Sequence, residues 1–220
     1  MKPALLILFS FISLLAFGQQ QDSLGVEKKN DTIYLKNNLK GIGRFKLNKE
    51  DSLWTYYFSN NKIQSVGCFK NGALIGKWSN WYPNGVKQSE GSYENNNKEG
   101  EWKEWDSVGR LIRLSIWHDG KRNGLIEEYD YQKEETRYGT LKDDSLNGNF
   151  IWRSFDGWKK IEGEYKMGLK TGMWTWYFKN GNIESQGRFM NDKLEGEHVW
   201  YNERGEKIGV VEYKDGNRIK

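Results

Sequence analysis

Residues 163–174 read Gly-Glu-Tyr-Lys-Met-Gly-Leu-Lys-Thr-Gly-Met-Trp, and Tyr177 and the pair Asn180-Gly181 complete the segment. A glycine opens the segment, an aromatic ring follows two residues later, and a second glycine precedes Trp174 by two positions. The pattern recurs every 24 residues, without insertion or deletion, from residue 43 to the end of the sequence. A fixed period of this size is typical of a tandem-repeat protein, in which each structural unit stacks on the next.

Two columns of the repeat are especially regular. The units start at Gly43, Gly67, Gly91, Ser115, Gly139, Gly163, Gly187 and Val211. Eleven residues after each of the first seven starts stand Trp54, Trp78, Trp102, Ile126, Phe150, Trp174 and His198. A glycine without a side chain leaves room for a large ring from the neighbouring strand, so we expect the rings of this column to pack over the opening glycines.

Each unit predicts two strands and two turns. Ile183 to Phe189 and His198 to Tyr201 are rich in strand formers, whereas residues 190–195 and 202–205 are polar and lead to glycines. Helix is disfavoured because no long stretch holds apolar residues at helical spacing. We therefore predict an all-β fold, an extended single-layer antiparallel β-meander in which the 24-residue units form a β-hairpin solenoid.

A third column, fourteen residues after the unit start, also carries rings. Its members include Trp81, Trp105, Tyr129, Tyr177 and Tyr201. This column is separated from the tryptophan column by an odd number of residues, which on a regular strand places the two on opposite faces. Either both faces carry aromatic side chains or a bulge resets the alternation, and the sequence leaves both possibilities open.

The chain divides into four segments. Residues 1–18 predict a signal peptide, with a basic start, a short apolar core and small residues at Ala16 and Gly18. Export directed by this segment, with cleavage near Gly18, would place the mature protein in the periplasm or outside the cell. Residues 19–30 predict a flexible segment, 31–42 a capping half-repeat, and 43–220 eight tandem units of which the last is truncated.

The charge balance and the cysteine content argue against nucleic-acid binding and against an internal disulfide. Loss of residues 1–18 would remove one lysine from 34 basic residues and leave 33 against 30 acidic ones. A nearly neutral chain with alternating charges does not predict nucleic-acid binding. The only cysteine, Cys68, cannot form an internal disulfide, and we expect it to be a small packed residue.

The glycine and aromatic columns, as in residues 163–174 with Tyr177 and Asn180-Gly181, resemble the MORN-repeat variant. This variant occurs in bacterial exported proteins and in proteins classed as antitoxins. The resemblance covers the chain after the predicted signal peptide and implies a β-hairpin solenoid with an interaction role, toward protein partners or membrane lipids. Units between residues 115 and 162 depart most, with Ser115, Ile126, Lys133 and Arg153 at consensus positions, which indicates a bend or simple drift.

The repeats offer few unique residues for chemistry. The two histidines, His118 and His198, are far apart, and His198 occupies the packing column. No spacing predicts a metal site, a cofactor site or a nucleophile motif. Sequence neighbours such as Glu127-Glu128 would point to opposite faces of a strand, which makes them poor acid–base partners. We therefore predict a protein that is not an enzyme, with no catalytic, metal or cofactor residues.

Three functions remain. The first is a protein-interaction scaffold or an immunity or antitoxin-like binder, with Trp81, Trp105, Tyr129, Tyr177 and Tyr201 as partner anchors, since Tyr and Trp are enriched in binding hot spots. The second is glycan or cell-wall binding through the same rings, and the third is association with a membrane surface. We expect the protein to be a monomer that requires no cofactor.

Overall fold

The structure is a computed structural model that describes residues 27–29, 32–34 and 40–219 of the 220-residue chain. This part of the chain forms 18 β-strands and contains no helix. The strands are β1 (Glu27–Lys29), β2 (Thr32–Tyr34), β3 (Lys40–Lys46), β4 (Lys49–Tyr57), β5 (Ile63–Lys70), β6 (Ala73–Trp81), β7 (Lys87–Glu94), β8 (Asn97–Trp105), β9 (Leu111–His118), β10 (Lys121–Asp130), β11 (Glu135–Lys142), β12 (Ser145–Ser154), β13 (Lys159–Lys166), β14 (Leu169–Tyr177), β15 (Ile183–Met190), β16 (Lys193–Tyr201), β17 (Lys207–Lys214) and β18 (Asn217–Arg218).

All 18 strands belong to one sheet, and each strand pairs antiparallel with the next one in the chain. Strands β3 to β18 form eight hairpins, one for each 24-residue unit. Among the described residues, extensive contacts join only neighbouring strands, so no second layer covers the sheet. The predicted single-layer β-hairpin meander is confirmed.

The N-terminal segments are only partly described. The predicted signal peptide, residues 1–18, lies outside the described residues, and so does most of the segment 19–30. Its residues 27–29 form β1, which pairs with β2, and β2 pairs in turn with β3. Two short strands therefore extend the sheet ahead of the first full unit, β1 within the segment 19–30 that the sequence predicts to be flexible and β2 within the predicted capping half-repeat 31–42.

The turn inside each hairpin contains two residues, both with positive φ, as at Asn71 (52°) and Gly72 (83°). This type I′ geometry matches the right-handed twist of the strands. In the seventh unit the turn is Asn191-Asp192 and β16 already begins at Lys193, so the prediction of a turn over residues 190–195 is too long. Gly196 lies inside β16 at a bulge with φ of 78°, where a side chain would be strained.

The tryptophans pack on one face of the sheet, which we call the tryptophan face and define by Trp54, Trp78, Trp102 and Trp174. Each of these side chains is at most 1% exposed. Trp78 lies on the backbone of Gly67, and its Nε1 donates a hydrogen bond to the carbonyl of Cys68 at 3.2 Å. Phe69 packs edge-on against the same ring at 5.2 Å. The expected packing of rings over the opening glycines is therefore confirmed.

The units between residues 115 and 162 keep the strand pairing without a break. Ser115 stands where other units have glycine, and it faces Ile126, which is smaller than tryptophan and leaves room for its side chain. The Ser115 hydroxyl, which is fully buried, accepts a hydrogen bond from Trp117 Nε1 at 2.9 Å. The departure from the repeat pattern is thus compensated within the same pair of strands.

Candidate functional site

The rings predicted as partner anchors lie on the face opposite the tryptophans. The register shift between Tyr56 and Tyr57 inserts Gln64 on β5 and not a residue on β4, so alternation along β4 continues and Tyr57, three residues after Trp54, points to the other side. Both faces therefore carry aromatic side chains, which answers the question that the sequence leaves open. We call the second face the open face and define it by the column Tyr57, Trp81, Trp105, Tyr129, Tyr177 and Tyr201.

The five predicted anchors form an interrupted row. They stand near the ends of β6, β8, β10, β14 and β16, and all five are half-buried. Side chains on alternate strands are separated by roughly 9.6 Å across a sheet. Arg153 on β12 takes the place of a ring and divides the row into an N-terminal part of three rings and a C-terminal part of two.

In the N-terminal part, one lysine lies between two indole rings. The Nζ atom of Lys87 is 6.0 Å from the ring centre of Trp81 and 5.8 Å from that of Trp105. Glu90 holds the ammonium group at 2.7 Å, and its hydrogen bonds with Lys87 and Lys77 keep the pKa of Glu90 below its usual value despite partial burial. The arrangement fixes a cation beside the exposed edges of both rings.

In the C-terminal part, the hydroxyl of Tyr177 donates a hydrogen bond to Glu162. Lys159 also bonds Glu162, at 2.6 Å, and its Nζ lies 4.7 Å from the centre of the Tyr177 ring. Burial and the hydrogen bond to Glu162 raise the pKa of the Tyr177 hydroxyl. Burial alone would raise the pKa of Glu162, but the bonds from Lys159 and Tyr177 lower it.

The other two tyrosines are held in a similar way. Tyr129 donates to Glu127 at 2.7 Å, and burial together with this bond raises the pKa of its hydroxyl. Gln186 Nε2 donates to the Tyr201 hydroxyl at 3.2 Å. A ring whose hydroxyl is already oriented loses little conformational freedom on binding, which favours its use as an anchor.

Sequence reasoning missed the apolar side chains that share the open face. Leu53, Leu125 and Met173 occupy one column of the repeat and are 58%, 65% and 54% exposed. Met173 also lines a shallow groove of about 460 Å³ together with Ile151 and Glu164. The 24-residue period could have indicated this column, but its members alternate with charged residues such as Lys77 and Glu101, which hides it.

The histidines differ in their surroundings. His118 is exposed and its Nδ1 lies 3.1 Å from Glu99, whose hydrogen bond raises the pKa of the imidazole. His198 is buried in the packing column between Trp176 and Trp200. No group of three or more His, Cys, Asp or Glu side chains in the described part of the chain is placed to hold a metal ion. Cys68 is a free, half-buried thiol.

The geometry defines the class as a single-layer β-hairpin repeat protein with one packed face and one open face. The sequence profile of the MORN repeat variant matches residues 50–71, 74–95 and 170–191. The three matches are in phase with the 24-residue period, and each runs from the second strand of one hairpin through the first strand of the next. These three segments are therefore MORN-variant repeats, which confirms the resemblance that the glycine and aromatic columns indicate.

No curated protein matches the chain significantly. MORN repeats generally serve in binding or membrane association, and they are a non-catalytic type of repeat. No helix among the described residues is long and apolar enough to cross a membrane.

Proposed function

We propose that this protein is a non-enzymatic, exported scaffold that binds a protein partner through its open face. The observation that supports this proposal is the row of five half-buried rings, Trp81, Trp105, Tyr129, Tyr177 and Tyr201, on a face that no second layer covers. Tyrosine and tryptophan supply large contact areas at low entropic cost and are enriched in hot spots. An immunity or antitoxin-like binder is one form that such a scaffold takes.

Trp81 and Trp105 are the anchors best suited to a first test. Each exposes part of an indole beside the Lys87 ammonium, which offers a partner an apolar surface and a cation at one place. Because Glu90 already pairs with Lys87 at 2.7 Å, a carboxylate of the partner would compete with Glu90, and we expect the indole surfaces to provide most of the binding energy. Loss of a hot-spot indole typically costs about 2 kcal/mol or more of binding free energy.

The test is affinity capture from the native envelope fraction, followed by a binding measurement with the purified partner. Trp81→Ala and Trp105→Ala should each weaken binding about thirtyfold or more while the far-ultraviolet circular dichroism spectrum and cooperative unfolding in urea are retained. The matched control is Leu47→Ala with Val108→Ala, two highly exposed apolar side chains in turns, which should bind normally. Equal binding by all variants would contradict the proposal, and capture of a polysaccharide in place of a protein would favour the glycan function.

Export is tested separately. N-terminal sequencing of the mature protein should begin at Gln19, and the protein should appear in the periplasmic or extracellular fraction. Retention of residues 1–18 on a protein found only in the cytoplasm would contradict this part of the proposal.

A further inference from the structure

A row of cross-strand partners crosses the open face from β11 to β17, and its chemistry is symmetric about the centre. In register order the row contains Tyr138, Ile151, Glu162, Thr175, Gln186, Val199 and Val210. Thr175 on β14 is the centre. Moving outward on both sides, the row has a hydrogen-bonding side chain, then a β-branched aliphatic one, then a more exposed one, Tyr138 (37% exposed) on one side and Val210 (44% exposed) on the other. Thr175 and Val199 are each only 8% exposed, so the accessible part of this row lies at its ends.

In a second row, next to the first, the three central positions on β13, β14 and β15 are antisymmetric in charge, whereas farther out neutral Asn149 on β12 corresponds to Glu197 on β16. Met173 on β14 is 54% exposed and lies opposite Arg188 on β15. On its other side Glu164 of β13 lines the same groove. Glu164 and Arg188 are both exposed, and neither side-chain charge has an ion-pair partner within the described residues. An acid, an exposed methionine and a base thus lie side by side.

In place of the monomer expected from the sequence, we propose that the open face of β11 to β17 is the interface of a homodimer whose twofold axis runs along β14. Rotation about such an axis exchanges β13 with β15, β12 with β16 and β11 with β17. Glu164 of one copy then faces Arg188 of the second copy, and the two Met173 side chains meet on the axis. In the first row the exposed ends meet, with Tyr138 facing Val210.

The size of the surface agrees with a stable but modest dimer. Seven strands at about 4.8 Å, covered over roughly 20 Å of their length, give about 600 Å² per copy, near the lower limit of stable interfaces. Two sheets packed face to face lie about 10 Å apart, which the side chains of Met173 and Ile151 can fill. We expect dissociation in the micromolar range.

The dimer goes beyond the proposed function and does not depend on it. The dimer would cover the C-terminal part of the anchor row, Tyr177 on β14 and Tyr201 on β16. The N-terminal part, Trp81, Trp105 and Tyr129 on β6, β8 and β10, would stay outside the interface. A dimer would therefore present two copies of the N-terminal part of the anchor row to partners, which increases avidity.

The decisive test is charge exchange, measured by sedimentation velocity of the full exported chain between about 1 and 100 μM. Glu164→Arg and Arg188→Glu each place like charges opposite one another and should raise the dissociation constant about tenfold or more. The double variant restores opposite charges across the axis and should return to within about threefold of the wild type. Pairing within one copy cannot explain such a rescue, because β14 separates the two residues.

Two further variants complete the test. Met173→Glu places two carboxylates on the axis and should abolish the dimer, whereas Leu53→Glu, in the same column of the repeat but on β4, should leave it intact. A wild-type protein that stays monomeric at about 100 μM would overturn the proposal. A double variant that dimerises no more tightly than the two single variants would also overturn the proposal. Because no partner is present in these measurements, their failure is independent of any failure in affinity capture.

Discussion

A Cβ atom at Gly67 would lie 2.0 Å from Cδ2 of Trp78, whose indole ring rests on the Gly67 backbone. The same close approach joins Gly43 with Trp54, Gly91 with Trp102, and Gly163 with Trp174. In each pair the indole Nε1 donates a hydrogen bond to the carbonyl of the residue after the glycine. The opening glycine and the tryptophan eleven residues later are therefore one structural element.

Gly67→Ala should destabilise the protein by about 2–4 kcal/mol. The new methyl group would displace the Trp78 ring and break its hydrogen bond to the Cys68 carbonyl. Urea unfolding followed by tryptophan fluorescence measures the loss. Gly209→Ala is the matched control, because the nearest atom to its Cβ, on Trp200, is 3.9 Å away. The control should be neutral or slightly stabilising, and equal losses in both variants would contradict the packing argument.

Leu47→Asn should stabilise the protein by about 0.5–1 kcal/mol. Leu47 opens a type I′ turn with φ of 50°, a conformation that suits asparagine better than a branched apolar residue, and its side chain is 88% exposed. The measurement is the urea midpoint at constant m-value. Asn95→Leu, at the equivalent position of the third unit, should cause a loss of similar size. A stability gain for this second variant would show that turn chemistry does not decide the effect.

The stability of the protein should fall as the pH falls below about 6.5, because of His198. Burial lowers the pKa of this imidazole, and neither ring nitrogen has a hydrogen-bond partner. A depressed histidine pKa means that the stabilising neutral form is fully populated above the unfolded pKa and is lost at lower pH. We expect a decrease of up to about 1 kcal/mol between pH 6.5 and pH 5.

His198→Phe should remove this dependence, since Phe150 occupies the same column of the repeat. Unfolding in urea at several pH values measures how the free energy of unfolding depends on pH. His118 contributes with the opposite sign, because Glu99 raises its pKa and its stabilising charge is lost as the pH rises. His118→Asn should therefore keep the decrease at low pH, and a wild-type slope in His198→Phe would rule out His198 as its source.

Arg113→Leu should destabilise the protein by about 1–2 kcal/mol at pH 7. The guanidinium bonds Glu104 at 3.0 Å and Glu128 at 2.9 Å on the two flanking strands. Without it the two carboxylates remain on the tryptophan face with no cation between them. Arg110→Ala, which removes an exposed pair with Asp106, should change stability by no more than about 0.5 kcal/mol. Equal losses of stability in Arg113→Leu and Arg110→Ala would mean that the ion pairs across three strands do not stabilise the protein.

Much of the fold could be predicted from particular residues. The spacing of Gly163, Tyr165 and Trp174 predicts one hairpin per 24 residues. The odd separation of Trp174 and Tyr177 leaves two possibilities, that both faces of the sheet carry aromatic rings or that a bulge resets the alternation. The turn at Asn191-Asp192 could not be delimited, because the polar residues that follow it suit a turn and a bulged strand equally well. The polar start of β16 becomes strand only through pairing with β15.

The sequence by itself determined the repeat, the hairpin and the pairing of glycine with tryptophan, since these depend on contacts within one unit or between adjacent strands. Only the tertiary structure decided which side chains share the open face and which of them stand in one row. A bulge in each of the first seven hairpins shifts the register, and the position of Glu164, Met173 and Arg188 beside one another is the sum of such shifts over three strands. No local pattern encodes that sum, because it depends on hydrogen bonds between strands that are formed only when the whole sheet is assembled.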